Sequence, residues 1–206
     1  MAIVIAASER QWEELVRNSS ETEWIRVAGG DAFTENATAD AFINLKDNII
    51  LPGYATLKKP VLINAVIATL TSMNAPENVL RINGWPGFLQ RPVWEIAGKI
   101  NDHVTAIIGK LNKKLTVVAD EPGFIAARII SMIINEAYFT LGDQVSSKIE
   151  IDTAMKLGTN YPYGPFEWAL AIGSENILEL LKQLNATDKR YKPAPLLIKE
   201  VTGKHP

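Results

Sequence analysis

The segment from residue 120 to 173 contains the feature that most constrains the fold. Between Phe124 and Leu141 almost every residue is apolar or small. A helix that is apolar on all sides must be covered, either within its own domain or by a second subunit. Asp120 and Pro122 precede the run as a capping residue and a first-turn proline, and Gly142 follows it as a helix stop. The sequence therefore predicts a long, covered helix that starts near residue 120.

Shorter helices should follow this long one. Ser147 and Glu150 match a Ser-x-x-Glu capping box, which predicts a helix that Gly158 ends. Residues 161–165 (YPYGP) form a rigid turn, because two prolines fix the backbone and a glycine relieves crowding. Residues 166–172 then make another helix. We expect a helical domain over 120–206.

The first part of the chain has a different pattern. Residues 2–7 are an apolar run rich in Ile and Val, typical of a strand buried on both faces. Ser8 caps a helix through Val16, with Gln11 completing a capping box. A strand, a tight turn and a helix open a Rossmann fold. Further strands are predicted at 24–27, 41–45, 61–70, 78–82, 93–96 and 115–119, and an amphipathic helix at 101–114, so residues 1–119 should form a Rossmann-like α/β domain with a parallel sheet.

Composition excludes several classes of protein. The net charge of −2 and pI near 5.8 give no electrostatic basis for binding nucleic acid. There is no cysteine, and the two histidines, His103 and His205, are too far apart in sequence for a His-x-x-x-His metal site. We expect no metal, no signal peptide, no membrane span and a cytoplasmic location.

Four motifs and the tail of the chain occur in a fixed order: PGFIAAR, INEA, IDTAMKLG, YPYGPFE and RYKPAPLLIKEVTGK. Together they resemble the C-terminal domain of L-3-hydroxyacyl-CoA dehydrogenases, and several motifs in register are far more specific than one. The resemblance implies a two-domain enzyme: a Rossmann domain binds NAD, a helical domain dimerises, and acyl-CoA lies in the cleft between them. It also implies a homodimer through residues 120–206.

The resemblance is weaker in the first domain. ADAFINLKD and VIATLTSM are similar to segments of the family, and residues 81–96 lie where the family carries its catalytic histidine and glutamate. Family members have a longer first domain, with a βα unit and a helical hairpin that contacts CoA. Here only a short connection takes their place, so the domain is expected to be truncated.

The positions that would bind NAD differ from the family. A dinucleotide fingerprint needs three glycines after the first strand. Ala6, Ser8 and Gln11 occupy those places here. Ser8 puts a side chain where the pyrophosphate approaches, and Gln11 puts a long one against the sheet. No acidic residue for the ribose is evident after Val27, so we expect no cofactor.

The positions that would carry the chemistry are also changed. The resemblance puts Asn83 at the family's histidine, Glu95 at its orienting glutamate and Ser72 at its substrate-binding serine. An asparagine cannot act as a general base near neutral pH. Ser72 could equally be a strand-end or capping serine, and Glu95 a surface carboxylate or the partner of Arg91. Both histidines are expected at the surface.

Three hypotheses remain open at the level of the sequence. The first is a degenerate, NAD-independent homologue that binds an acyl-CoA-like ligand or a partner protein. The second is an active NAD-dependent 3-hydroxyacyl-CoA dehydrogenase of fatty-acid or hydroxybutyrate metabolism. The third is a structural subunit that pairs with an active relative through the helical domain. The residues at positions 6, 8, 11 and 83 favour the first.

Overall fold

The computed structural model describes residues 1–16, 22–46 and 48–203. The chain divides into two compact units, Met1–Phe124 and Ile125–Pro206. The sequence placed this division after Ala119. His205, expected at the surface, lies outside the described residues.

The first unit is built on a seven-stranded sheet in the order β2-β1-β3-β4-β5-β6-β7. The strands are β1 (Ala2–Ala6), β2 (Glu23–Arg26), β3 (Ala41–Asn44), β4 (Val61–Asn64), β5 (Val79–Ile82), β6 (Val93–Ala97) and β7 (Lys114–Val117). The first five strands are parallel, as the apolar runs predicted. The chain reverses its direction of winding between β1 and β3, and ligands of open α/β sheets bind at the carboxyl ends of the strands at such a switch point.

Both faces of the sheet are covered, which explains the near-continuous apolar strands. Ile3, Ile5 and Ile43 pack on one face with the buried side of two helices, α1 (Glu9–Val16) and α2 (Asp102–Lys110). On the opposite face, Phe33 and Tyr54 come from two 3₁₀ segments, Gly30–Asn36 and Pro52–Thr56, and pack against the other side of the strands. The unit therefore has three layers.

Three details of this unit differ from the sequence prediction. The fourth strand ends at Asn64 instead of Leu70, because the next residues turn away and the Leu70 amide bonds to a distant carboxylate. The helix α2 ends at Lys110, and Asn112 then takes a left-handed conformation. The strand β6 is antiparallel to β5. Only residues 83–92 connect these two strands, too short a connection for a helical crossover between parallel neighbours.

The second unit is helical, as predicted. Its helices are α3 (Phe124–Gly142), α4 (Lys148–Thr159), α5 (Pro165–Ile172), α6 (Ser174–Thr187) and α7 (Pro195–Thr202). The predicted start of α3 near residue 120 is wrong, since Asp120 does not cap this helix and its carboxylate is bound elsewhere. The helix α4 was predicted to end at Leu157 with Gly158 as its stop, but it runs two residues further, to Thr159, because left-handed Asn160 is its C-cap.

The long helix α3 is covered on only part of its surface. Ala127, Ile134 and Tyr138 are buried, whereas Ile125 and Ile129 are 52% and 53% exposed. By length and composition alone α3 is apolar enough to cross a membrane, and the core helix of a soluble protein meets the same criterion. The composition of α3 predicts that it is covered on every side, but this chain leaves part of its apolar surface exposed.

Candidate functional site

The carboxyl edge of the parallel strands, at the switch point between β1 and β3, is where the fold would place a nucleotide. Ala6 is fully buried at the end of β1, and Ser8 precedes the first turn of α1. The predicted capping box is confirmed. The Ser8 amide and hydroxyl donate to Gln11 Oε1 at 3.0 and 2.9 Å, and the Gln11 amide donates to Ser8 Oγ at 3.3 Å. The start of α1 is thus capped by the chain's own side chains.

The other end of the Gln11 carboxamide crosses the switch point. Its Nε2 donates to the carbonyl of Leu45, just after β3, at 3.0 Å and to that of Gly84, just after β5, at 3.4 Å. Asn64, the last residue of β4, joins the same two loops. Its Nδ2 donates to Leu45 O at 3.4 Å and its Oδ1 accepts from the Gly84 amide at 3.0 Å. Two side-chain amides therefore tie the loops together across this edge.

Gly84 is required by this arrangement. A Cβ atom at position 84 would lie 2.7 Å from Cγ and 2.8 Å from Oδ1 of Asn64. A side chain there would displace Asn64 and break its bridge to the Leu45 loop. The sequence prediction did not include Asn64 or Gly84, because their contacts join strands that are distant along the chain.

Glu9 adds negative charge to the first turn of α1. Its carboxylate accepts from Arg26 Nη2 at 2.8 Å, at the end of β2. The hydrogen bond from Arg26 and the charge of its guanidinium lower the pKa of Glu9, so the carboxylate stays ionised. The N-terminus of a helix attracts anions, and in this one the first turn already holds the ion pair of Glu9 and Arg26. Glu9 was not among the predicted site residues, and its position as an acidic residue in the first turn of α1 was the sequence signal that could have identified it.

Asn83 directly follows β5, and Glu95 lies within β6. The β5–β6 ladder pairs Arg81 with Ala97 and Ile82 with Ile96. Asn83 is nine-tenths buried, and its Oδ1 accepts from the Trp85 amide at 3.2 Å. Its Nδ2 has no acceptor within the described part of the chain. Residues 81–96 contain no histidine, so no alignment of this segment supplies the general base.

Ser72 lies in a turn that is held by its own hydrogen bonds. Its Oγ accepts from the Thr69 amide at 3.0 Å and donates to the Thr69 carbonyl at 2.9 Å, while its amide donates to Thr69 Oγ1 at 3.0 Å. This matches a capping serine. Thr71 and Ser72 are both exposed in this turn.

Asp120 anchors that turn. Its carboxylate accepts from the amides of Leu70 and Thr71 at 2.9 and 3.1 Å. It also accepts from Arg81 Nη1 at 2.6 Å, and the side chain of Arg81 is fully buried. Burial raises the pKa of Asp120, but the bonds from Leu70, Arg81 and Thr71 outweigh it and leave the pKa below its usual value.

The aromatic residues of the 81–96 segment are part of the core. Trp85, Phe88 and Trp94 are all buried, and the indole of Trp94 donates to the Leu89 carbonyl at 3.0 Å. Between the two alternatives, core or pocket, the structure supports core. His103 is exposed on α2, as expected.

Residues of the motifs in the second unit form hydrogen bonds with one another. Asn135, in INEA, donates to the Lys192 carbonyl at 3.0 Å and accepts from the Ala194 amide at 2.8 Å, which joins α3 to the tail. Asp152, in IDTAMKLG, accepts from the Phe166 amide at 2.8 Å and from the Glu167 amide at 3.2 Å, and so caps α5.

Further bonds join the same two helices. The predicted capping box of Ser147 and Glu150 is confirmed. Lys156 on α4 pairs with Glu167 on α5. A Cβ at position 164 would collide with the Asp152 carboxylate, which explains the glycine in YPYGPFE. These motif residues therefore stabilise the helical unit.

A Rossmann-like sheet unit followed by a helical unit defines the architecture of two-domain α/β dehydrogenases. (S)-3-hydroxybutyryl-CoA dehydrogenase from Ralstonia eutropha has the same fold. It superposes with a TM-score of 0.70 at 18% identity, over 98% of this chain and 93% of that one. The family model of the 3-hydroxyacyl-CoA dehydrogenase C-terminal domain matches residues 123–205.

Curated relatives match in sequence. The 3-hydroxyadipyl-CoA dehydrogenase of Escherichia coli is 46% identical over 87 residues, covering 41% of this chain and 18% of the relative. The 3-hydroxybutyryl-CoA dehydrogenase of Clostridioides difficile is 34% identical over 139 residues, covering 64% of this chain and 50% of the relative. The matches thus span at most half the length of these two relatives. Residues 123–205 of the chain belong to the family of 3-hydroxyacyl-CoA dehydrogenase C-terminal domains.

Proposed function

We propose that this chain is an NAD-independent member of the family that binds an acyl-CoA-like ligand without oxidising it. The observation that carries the proposal is the bridge from Gln11 to the Leu45 and Gly84 carbonyls across the switch point. A pyrophosphate there would have to displace Gln11 from these two carbonyls and would meet the ion pair of Glu9 and Arg26 in the first turn of α1. A fingerprint of glycines has none of these obstacles.

The chemistry of Asn83 supports the same conclusion. Oxidation of a 3-hydroxyl group requires a base to accept its proton as hydride leaves. A carboxamide has no titratable lone pair, and loss of a general base alone typically costs ~10²–10⁴-fold in rate. The Nδ2 atom of Asn83 is buried and has no acceptor among the described residues; a ligand oxygen that reached it would accept a hydrogen bond, which is a binding role and not an acid–base role.

The second candidate is an active NAD-dependent 3-hydroxyacyl-CoA dehydrogenase. It is favoured by the names of the relatives and by a match to the Clostridioides difficile enzyme that is long enough to include part of the first unit. It requires Gln11 to move aside, and a base other than residue 83. Glu95, which the resemblance puts at the family's glutamate, is the ionisable side chain we would test for that role.

We also propose that the second unit forms the contact between two copies of the chain. Of the ten exposed large hydrophobic residues in the described ranges, seven lie in this unit, which holds 82 of the 206 residues. They include Ile125 and Ile129 on one face of α3 and Leu170, 86% exposed, on α5. Association through such surface would supply the missing cover of α3. If the chain instead pairs with an active relative, that contact would use the same surface. We also propose that the protein is cytoplasmic.

Two assays on the purified chain test the functional proposal. Nicotinamide absorbance with acetoacetyl-CoA and NADH measures turnover, and calorimetry with acetoacetyl-CoA alone measures binding. We expect binding without turnover. Turnover that saturates with both substrates and is lost in Glu95→Gln would establish the second candidate instead. The absence of acetoacetyl-CoA binding would remove the acyl-CoA part of the proposal and leave the partner role.

A further inference from the structure

A cavity of about 220 Å³ lies at the edge of the first unit opposite the switch point. Its walls come from three segments that the topology brings together there. Lys58 and Lys59 precede β4, Glu77 and Asn78 precede β5, and the segment from Lys99 to His103 follows β6 into α2. Because β6 is antiparallel to β5, its end reaches the same edge as the starts of β4 and β5.

The cavity is lined by more positive than negative charge. Three lysines and one glutamate contribute to its walls, a formal balance of +2 with His103 neutral. The glutamate, Glu77, is paired with Lys99 at 2.9 Å. Within the described residues, no ion pair neutralises Lys58 or Lys59. Lys58 and Lys59 put two positive charges on the wall of the cavity, which favours an anion there.

The backbone of the loop that carries the two lysines is held in place by Asn78. The side-chain amide of Asn78 donates to the Lys59 carbonyl at 2.9 Å and to the Tyr54 carbonyl at 2.8 Å, and its own carbonyl accepts from the Val61 amide at 2.9 Å. These bonds fix the loop on the wall of the cavity. Because the loop backbone is already ordered, binding at its lysines costs less conformational entropy than binding at a free loop.

We propose that this cavity binds the phosphate group of a small phosphorylated molecule, with Lys58 and Lys59 as its main ligands. A lysine ammonium is a common partner of phosphate and forms charge-assisted hydrogen bonds with its oxygens. The volume is enough for a phosphate or diphosphate group. Asn101 and His103, at the start of α2, add polar atoms to the wall. The site is separate from the Gln11 edge and does not depend on the functional proposal.

The probe is inorganic pyrophosphate, titrated into the full chain at constant ionic strength. Binding is followed by calorimetry and by amide chemical shifts. We expect saturable binding, with the largest shifts at residues 58–59 and 99–103. The double variant Lys58→Ala/Lys59→Ala should weaken binding about tenfold or more, since two charge-assisted bonds are removed. Lys58→Arg/Lys59→Arg should retain it.

A matched control has the same loss of charge elsewhere in the unit. Lys110 and Lys114 are exposed and do not line the cavity. Lys110→Ala/Lys114→Ala should bind pyrophosphate like the wild type. Equal weakening in both double variants would show only a general charge effect and overturn the proposal. Shifts centred on residues 8–11, or no saturable binding at all, would overturn it as well.

Discussion

Removing the Asp120 carboxylate should destabilise the first unit strongly. Arg81 has no exposed side-chain surface, and Asp120 supplies its counter-charge at 2.6 Å. Loss of one partner from a buried ion pair typically costs about 3–5 kcal/mol, because the other charge is left uncompensated. Asp120 is 24% exposed, so water can replace part of the carboxylate, and we expect the lower end, about 3 kcal/mol, for Asp120→Ala.

The assay is urea unfolding followed by tryptophan fluorescence. Four of the five tryptophans lie in the first unit, so their emission reports on it. With a slope of about 2 kcal/mol per molar urea, a loss of 3 kcal/mol lowers the midpoint by about 1.5 M. Asp120→Asn keeps the shape but loses the charge, so we expect about half that shift.

The matched control is the exposed pair of Lys99 and Glu77, where both side chains are more than half exposed. Glu77→Ala should leave the midpoint nearly unchanged. The Asp120 contribution should also depend on pH. Since its folded pKa is lowered, the stabilisation is fully present above the ordinary aspartate pKa of about 4 and is lost as the pH falls through the lower folded value. An Asp120→Ala midpoint no lower than that of Glu77→Ala would refute this reasoning.

Three further predictions concern the switch point, the helical unit and its surface. Asn83→His should not create dehydrogenase activity by itself, because Gln11 still spans the cofactor edge. Steady-state turnover of acetoacetyl-CoA with NADH measures this. Activity in the single variant would contradict the view that Gln11 closes the switch point. Tyr138 should remain protonated above the pH at which an exposed tyrosine ionises, because its burial raises its pKa. The unit should accordingly lose stability as the pH rises above about 10, where this tyrosine ionises in the unfolded chain. The difference in ultraviolet absorbance between the wild type and Tyr138→Phe isolates the ionisation of Tyr138. Ile129→Lys/Leu170→Lys should shift the chain from dimer to monomer in light scattering, whereas Val93→Lys/Val117→Lys, exposed in the first unit, should not; a wild type that is already monomeric at micromolar concentration would contradict the dimer proposal.

The local signals in the sequence predicted local structure well. The capping boxes of Ser8–Gln11 and Ser147–Glu150 form because both partners lie three residues apart on one helical turn. Apolar runs identified the parallel strands, because a strand that is buried on both faces is apolar at nearly every position. The helical unit followed from its motifs.

Contacts between distant residues were not predictable in the same way. The partners of Asp120 lie 39 to 50 residues away, so its short-range pattern indicated a helix cap. The early end of β4 has the same origin. At the candidate site, the sequence placed Gln11 against the sheet, but its acceptors are carbonyls, which every residue carries, and no pattern of side chains could point to Leu45 and Gly84.

The most direct test of the closed switch point is a titration of the wild-type chain with NADH, followed by nicotinamide fluorescence. The double variant Ser8→Gly/Gln11→Gly serves as the comparison, because it removes the capping box and the bridge together. We predict no saturable NADH binding to the wild type, and any gain of binding only in the variant. Saturable binding of NADH to the wild type at micromolar concentration would contradict the account and establish a working cofactor site.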